Sequence, residues 1–244
     1  MVTENSSKTS PYKRVLLKLS GEALRGDDGT SIDIDKADFI ASKLQAIFEL
    51  DIQVAVVVGA GNIWRGNMGL GRGMDRTTAD HMGMIGTVMN GLALRDALER
   101  RGLAARVQTA VQMNEVAEPY IRLRAIRHME KGRIVILAGG TGNPYFTTDS
   151  AAALRASEID ANILIKATKV NGVYSADPEK VPDAQRYKSL TFQQVLDKRL
   201  NVMDMTAFTL CQENDIPILV VNFWQDDDLL RAMRGENEVG TLIS

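Results

Sequence analysis

Short, continuous apolar runs alternate along the chain with longer segments in which apolar residues recur every three or four positions. Residues 14–19, 52–58 and 133–138 are such runs, which are typical of strands in a parallel sheet covered on both faces. Residues 35–50 and 77–101 have the longer spacing and predict helices. The alternation predicts an α/β fold, a three-layer α/β/α sandwich with a central, mainly parallel sheet.

The alternation continues with shorter segments to the end of the chain. Further strands are predicted at residues 106–110, 162–166, 217–222 and, as an edge strand, 241–243; further helices are predicted from Pro119 to about residue 131 and at residues 149–157, 191–198, 205–214 and 226–234. The glycine-rich residues 62–76 and the polar residues 177–189 predict loops. Residues 1–11 predict a flexible tail, and residues 12–244 a single domain.

Composition narrows the classes of protein. Lys and Arg number 29 and Asp and Glu number 31, and this net charge of −2 argues against a general nucleic-acid binder. The single cysteine, Cys211, rules out an intramolecular disulfide and suits a reducing compartment. The apolar runs are far shorter than the roughly 20 residues that span a bilayer, and no signal peptide is visible. We therefore expect a cytoplasmic protein without a membrane segment.

Three glycine-bearing turns follow predicted strands, at residues 18–21, 59–62 and 139–143. Small residues let backbone N–H groups approach phosphate oxygens, and a following helix N-terminus favours an anion. In open parallel sheets, ligands bind outside the carboxyl ends of the strands, which is where these turns fall. Three such turns in one chain favour a site that handles more than one phosphate group.

Other phosphate-binding and catalytic motifs are missing. The chain has no G-x-x-x-x-G-K-[ST], which excludes a P-loop NTPase, and Trp64 stands where the third glycine of a dinucleotide-binding G-x-G-x-x-G would be. It has no H-R-D or D-F-G of a protein kinase and no G-x-S-x-G of a hydrolase. The glycine turns therefore need another explanation.

Two lysines, Lys18 and Lys166, lie at the ends of predicted strands. A lysine inside an apolar strand costs desolvation unless it has an anionic partner. Two lysines at one sheet edge fit on either side of a transferring phosphoryl group, with Arg65 of the glycine-rich loop closing over it. Phosphoryl transfer needs mainly positioning and charge neutralisation from the protein.

Five segments carry a resemblance to a known family. They are residues 18–24 (KLSGEAL), 61–66 (GNIWRG), 80–84 (DHMGM), 141–149 (TGNPYFTTD) and 166–178 (KATKVNGVYSADP). They resemble the bacterial uridylate kinases, or UMP kinases, of the amino-acid-kinase fold, in the order and spacing of that family from about Tyr12 to Ile243. The stretch 141–149 is specific to this branch of the fold, whereas 166–178 is shared more widely.

The resemblance implies the reaction of ATP and UMP to ADP and UDP with Mg²⁺, a step of pyrimidine nucleotide biosynthesis. It implies that ATP contacts Lys18, Leu19, Ser20, Gly21, Gly61, Arg65, Thr168, Asn171, Tyr174 and Asp177. It implies that UMP contacts Ala60, Asp80, Thr141, Gly142, Asn143, Pro144, Tyr145, Phe146, Thr147 and Thr148. Residues 12–160 would form the half for UMP binding and oligomerisation, and residues 161–244 the ATP half.

Catalytic roles are implied for five of the matching residues, namely Lys18, Arg65, Asp149, Lys166 and Asp204. The lysines would neutralise the transferring phosphoryl group. Asp149 would orient them or hold the metal, which otherwise arrives with ATP, and Asp204 would position Lys18 or the metal. The family more often has glycine at position 60 than alanine, but because that contact is through the backbone we expect function to survive.

The resemblance also implies a homohexamer that GTP activates and UTP inhibits. Arg95, Arg106 and Arg133 stand where related enzymes place residues that contact GTP.

Two alternative functions stay open on the sequence. An acyl-phosphate-forming kinase of the same fold, of the acetylglutamate or aspartate type, would share the two lysines and the ATP half but would not need residues 141–149 in a nucleotide-recognising form. A non-catalytic nucleotide sensor would be favoured by loss of Lys18, Arg65 or Asp149, and all three are present.

Overall fold

The computed structural model describes residues 10–66, 69, 71–178, 180–236 and 238–244. Its strands are β1 (Arg14–Leu19), β2 (Gln53–Val58), β3 (Ala105–Thr109), β4 (Glu118–Pro119), β5 (Ile134–Ala138), β6 (Ile163–Thr168), β7 (Ser189–Leu190), β8 (Ile218–Asn222) and β9 (Thr241–Ile243). Its helices are α1 (Ile34–Phe48), α2 (Arg76–Arg100), α3 (Arg122–Glu130), α4 (Thr148–Glu158), α5 (Phe192–Asp197), α6 (Met205–Glu213) and α7 (Asp228–Met233), with a 3-10 turn at Gly21–Leu24.

Within the described ranges the strands form one sheet in the order β4-β3-β5-β2-β1-β6-β8-β9-β7. Every pairing is parallel except that of β8 with β9. Parallel neighbours need a crossover connection, usually a helix, so the carboxyl ends of β1, β2, β5 and β6 all lie at one edge. The predicted three-layer α/β/α sandwich is confirmed.

Alternate residues of the central strands belong to two separate hydrophobic cores, one on each face of the sheet. Val15 and Leu17 of β1 pack on one face, with apolar residues of α1, α2 and α7. Leu16 of the same strand packs on the other face, with residues of α3, α4, α5 and α6. Because both faces are covered, the strands are apolar at nearly every position, and this is why they read as continuous runs.

Several helices begin at a residue whose side chain accepts hydrogen bonds from the backbone N–H groups of the first turn. The Asp33 side chain accepts from the backbone N–H of Asp35 and Lys36 at the start of α1, and Thr191 and Gln194 form a reciprocal capping box at the start of α5. Such caps satisfy N–H groups that have no partner within the helix. They explain why the predicted helix boundaries lie within one or two residues of the observed ones for α1, α2, α4, α5 and α6.

Two predictions at the sheet edges are wrong. Pro119 does not lie in a helix: it belongs to the two-residue β4, where it is the register partner of Thr109, and α3 begins only at Arg122. Proline has no N–H to donate and is confined to positions such as edge strands. Residues 241–243 do form a strand, but β9 lies between β8 and β7, so β7 is the edge strand at that side.

Two other predictions fall partly outside the described residues. Of the predicted tail at 1–11, residues 1–9 are not described, while the Ser10 hydroxyl donates a 2.6 Å hydrogen bond to the Met233 carbonyl. Of the predicted glycine-rich loop at 62–76, residues 67, 68 and 70 are not described. Among the helices of the described chain, none is long and apolar enough to cross a membrane.

Leu94 is fully buried between α2 and the sheet. We predict that Leu94→Ala lowers the free energy of unfolding by about 2–5 kcal/mol, because it removes buried methyl groups and leaves a cavity. Urea unfolding followed by circular dichroism measures this change. Leu123→Ala is the control, since that side chain is 68% exposed and a surface change of this kind costs within about 0.5 kcal/mol. Equal losses for the two variants would contradict the assigned core.

Candidate active site

Lys18 and Lys166 are register partners at the carboxyl ends of the neighbouring strands β1 and β6. Asp149 lies in the first turn of α4, whose N-cap is Thr147. The Asp149 carboxylate lies between the two lysines: Oδ1 is 2.7 Å from the Lys18 Nζ, and Oδ2 is 3.0 Å from the Lys166 Nζ. The contact with Lys18 is thus a close ion pair. The structure therefore joins three predicted catalytic residues in one cluster.

The charges in this cluster depend on one another. Burial acts to raise the pKa of the Asp149 carboxyl, but the Lys18 and Lys166 ammonium groups together outweigh it and hold that pKa below its usual 3.8. Burial lowers the pKa of the Lys166 amine, and Lys18 adds to that effect while Asp149 opposes it. Lys166 also donates to the Val202 carbonyl. An anion that enters here therefore meets two ammonium groups that share a single carboxylate.

Asp204 caps α6 and connects it to the start of α4. Its carboxylate accepts from the Ala207 N–H at 2.9 Å, from the Ser150 hydroxyl at 3.0 Å and from the Thr147 hydroxyl. Its charge also acts on Lys166. Among the hydrogen bonds of the described chain, those of Asp204 thus hold the helix end that carries Asp149, and none goes to Lys18.

The first two glycine turns contact each other through their backbones. A Cβ on Gly21 would lie 2.6 Å from the Gly59 carbonyl and 2.7 Å from the Gly61 nitrogen, so no other residue fits at position 21. Leu19 is buried at the end of β1, and Ser20 caps the 3-10 turn. The two turns form one surface of backbone groups beside Lys18.

Arg65 follows the second turn and lies at its rim. Its guanidinium is 2.6 Å from a carboxylate oxygen of Glu22 and donates to the Gly61 carbonyl at 3.3 Å. The side chain is more than half exposed. Sequence reasoning missed Glu22, although it stands within the KLSGEAL segment.

A cavity of about 260 Å³ lies on one side of the cluster, between α2, the turn at 59–62 and the loop before α4. Its lining includes six of the residues predicted for UMP, namely Ala60, Asp80, Thr141, Phe146, Thr147 and Thr148, together with Gly61. It also includes Trp64, Gly66, Ala79, Gly83, Met84, Thr87 and Gly140, which sequence reasoning missed.

The other four residues predicted for UMP, Gly142, Asn143, Pro144 and Tyr145, are not among those that line this cavity. Tyr145 has a left-handed backbone, with φ at 73°, and its N–H donates to Asp80 Oδ2 at 2.8 Å. Arg76 donates to the same oxygen at 2.8 Å. Both bonds use Oδ2, and the described residues make no side-chain or backbone hydrogen bond to the Asp80 Oδ1.

A second cavity of about 430 Å³ lies beyond Lys166. Of the residues predicted for the adenosine side, Thr168, Tyr174 and Asp177 line this cavity and Asn171 does not; the Asn171 side chain accepts from Asn222 at 2.8 Å. One wall is formed by residues 198–202, a loop after α5 with no motif of its own, and sequence reasoning missed it. The cluster of Asp149 and the two lysines lies between the two cavities.

Arg106 and Arg133 lie on either side of a partly buried polar pair. The His128 Nε2 is 2.9 Å from the Glu118 carboxylate, and its Nδ1 is 3.0 Å from the Arg133 guanidinium. Arg106 lies 3.9 Å from the same carboxylate. Arg95 lies on α2, and its buried Nε has no hydrogen-bond partner among the described residues. The structure therefore brings together two of the three predicted effector residues.

A metal held by the protein alone does not fit these residues. Across the described ranges, no group of three or more His, Cys, Asp or Glu side chains is placed to hold one. Both Asp149 oxygens face ammonium groups, which would repel a cation.

The fold and this site agree with the family to which the comparisons assign the chain. The amino acid kinase family model matches residues 13–222, and the chain belongs to that family. Within it, the solved UMP kinase of Bacillus anthracis is 41% identical, with a TM-score of 0.93 and coverage of 96% of each chain. The Ureaplasma parvum UMP kinase is 38% identical, with a TM-score of 0.90 and coverage of 95% of this chain and 98% of that one. The Archaeoglobus fulgidus uridylate kinase is 29% identical, with a TM-score of 0.74 and coverage of 94% and 99%.

Removing the central carboxylate tests its electrostatic role. We predict that Asp149→Asn lowers the free energy of unfolding by about 3–5 kcal/mol at pH 7, because two partly buried ammonium groups lose their counter-ion. The folded-state pKa of Asp149 is lowered, so its contribution is present above the unfolded-state pKa and is lost as pH falls through the folded-state pKa. Urea unfolding at pH 7, 5 and 3 measures the difference, which we expect to shrink below about pH 4.

The control for this experiment is Asp160→Asn, which removes the carboxylate of an exposed ion pair with Arg122 and is expected to cost at most about 1 kcal/mol. A difference between the wild type and Asp149→Asn that stays the same from pH 7 to pH 3 would show that the charge of Asp149 is not its source.

Proposed function

We propose that this protein transfers the γ-phosphoryl group of ATP to UMP and forms ADP and UDP. The observation that carries the proposal is the Asp149 carboxylate between Lys18 and Lys166, at 2.7 and 3.0 Å, with one cavity on each side. The similarity to three solved UMP or uridylate kinases supports UMP as the acceptor.

In this reaction an oxygen of the UMP phosphate attacks the γ-phosphorus of ATP, and the bond from that phosphorus to the β-γ bridging oxygen breaks. UMP occupies the 260 Å³ cavity and the adenosine of ATP the 430 Å³ cavity. The triphosphate lies along the turns at 18–21 and 59–62, beneath Arg65. Lys18 and Lys166 neutralise the charge of the transferring group, and Asp149 holds their ammonium groups in place.

Within the UMP cavity, the Asp80 Oδ1 accepts from a ribose hydroxyl. Within residues 141–146, the backbone of Thr141 and Phe146, which line the cavity, reads the base. The N–H bond from Tyr145 to Asp80 supports this arrangement, because it ties the loop to the carboxylate that faces the ribose. Mg²⁺ arrives on the ATP phosphates, as is usual for a cation that keeps several waters.

We also propose that residues 12–160 supply the UMP and oligomer half and residues 161–244 the ATP half. Self-association of the chain as a hexamer is supported by exposed apolar residues one turn apart on α2, namely Met82, Ile85 and Met89, which are 38%, 46% and 48% exposed. GTP activation, UTP inhibition and a cytoplasmic location rest on the family resemblance.

An assay of ADP release with a panel of acceptors tests the function. We predict that UMP exceeds CMP by at least about 10² in kcat/KM, because uracil and cytosine reverse a donor and an acceptor and each buried mismatch costs about 1–3 kcal/mol. Acetylglutamate and aspartate, the acceptors of sister kinases, are expected to give no turnover. Values for UMP and CMP within a factor of about three would instead make the protein a general pyrimidine-monophosphate kinase.

Lys18 is tested by its effect on turnover. We predict that Lys18→Ala lowers kcat by roughly 10²–10³ and changes the KM for UMP far less, since the ammonium acts on charge that develops in the transition state. Lys13→Ala, just before the other end of the same strand, is the matched control for loss of a positive charge and is expected to leave kcat unchanged. The assignment fails if Lys18→Ala keeps more than about half of the wild-type kcat.

A further inference from the structure

Asn90 is a fully buried amide in the middle of α2. Its Nδ2 donates to the Gly59 carbonyl at 2.7 Å and to the Asn62 Oδ1 at 2.8 Å. Its Oδ1 accepts from the Asn62 Nδ2 at 2.9 Å. Asn90 and Asn62 therefore form a reciprocal amide pair, which we call the amide pair below.

Every N–H group of the amide pair donates a hydrogen bond. The second hydrogen of the Asn62 Nδ2 goes to the Ser31 carbonyl at 2.6 Å, so all four amide hydrogens of the pair have acceptors. Asn62 is itself 5% exposed. A buried polar group left without a partner costs about 1–3 kcal/mol, so each amide depends on the other.

The amide pair acts on the turn at 59–62 from both of its ends. Asn90 holds the carbonyl of the first residue, Gly59, and the side chain of the last, Asn62. On its other side this turn faces Gly21, where an added Cβ would lie 2.5 Å from the Asn62 Oδ1. The position of the amide pair thus sets how closely the two phosphate-facing turns approach.

Leu94, one turn along α2 from Asn90, is buried in the apolar core. A polar pair in such a place gains little stability over apolar packing, and its best-supported use is to fix one geometry. Here the geometry is that of the turn at 59–62, which includes Ala60 and Gly61 of the UMP cavity.

We propose that Asn90 is a positioning residue, which acts through Asn62 to hold the turn at 59–62 against Gly21 in the arrangement that phosphoryl transfer requires. This rests on the proposed function. Misplacement of a positioning element by a fraction of an ångström to 1 Å lowers turnover by as much as about 10², because the reacting groups leave their attack geometry.

The test compares Asn90→Leu, which removes every side-chain hydrogen bond and keeps the same branched shape, with Leu94→Ala, which destabilises the same helix one turn further on. Kinetics are measured at a temperature where circular dichroism shows both variants folded. We expect Asn90→Leu to lower kcat at least about tenfold with KM for ATP and UMP changed less than about threefold. We expect Leu94→Ala to keep the wild-type kcat.

A second variant and a second measurement distinguish a loss of positioning from a loss of folding. Asn62→Ala removes the other partner and is expected to lower kcat to a similar extent, and the double variant Asn62→Ala/Asn90→Ala little further, since the two amides act as one unit. Hydrogen exchange of the nucleotide-free protein is expected to be faster at residues 59–62 in the Asn90 and Asn62 variants but not in Leu94→Ala.

The proposal is overturned if Asn90→Leu and Asn62→Ala lose no more kcat than Leu94→Ala, or if exchange at residues 59–62 is the same in all variants. Failure of the proposed function has a different signature. In that case the wild type itself shows no turnover of UMP, while the exchange measurement still reports whether the amide pair holds the turn.

Discussion

The approach of two ammonium groups at neighbouring strand ends is the constraint on which the site depends. Lys18 and Lys166 are direct register partners, so their charges repel, and each is partly removed from water. The Asp149 carboxylate between them makes the arrangement stable in the folded chain. Helix α4 must therefore begin where the two strands end, and Thr147 and Asp204 secure that start by capping α4 and joining it to α6.

The glycine turns add a second constraint, which is steric. Gly21 lies too close to the backbone of Gly59 and Gly61 for any side chain, so the surface that the two turns share is made of backbone groups. Such a surface has no side chains of its own to hold it in position. The amide pair of Asn62 and Asn90 contacts it from the side of the hydrophobic core. Charge and backbone geometry at this edge are thus held by different parts of the molecule.

Most of the fold could be predicted because both faces of the sheet are covered. Continuous apolar runs and the turns that end them are local signals, and they located β1, β2, β5 and β6 to within a residue or two. The errors came at the two ends of the sheet, where pairing with another strand decides what a short segment becomes: β4 contains Pro119 because β3 offers it an edge, and β9 is internal because β7 covers it. Nothing in residues 241–243 themselves shows that another strand covers them.

The sequence by itself determined the layers, the three glycine turns and the two lysines of the charged cluster, because periodicity, glycine and charged strand ends are properties of short segments. Asp149 was added by the family resemblance. Only the tertiary structure decided which of these residues meet. It joined Glu22 to Arg65 and Tyr145 to Asp80, and it turned Asn171 away from the cavity that its segment lines. These contacts depend on the distance between turns that follow separate strands at the sheet edge. No short segment of the sequence encodes that distance.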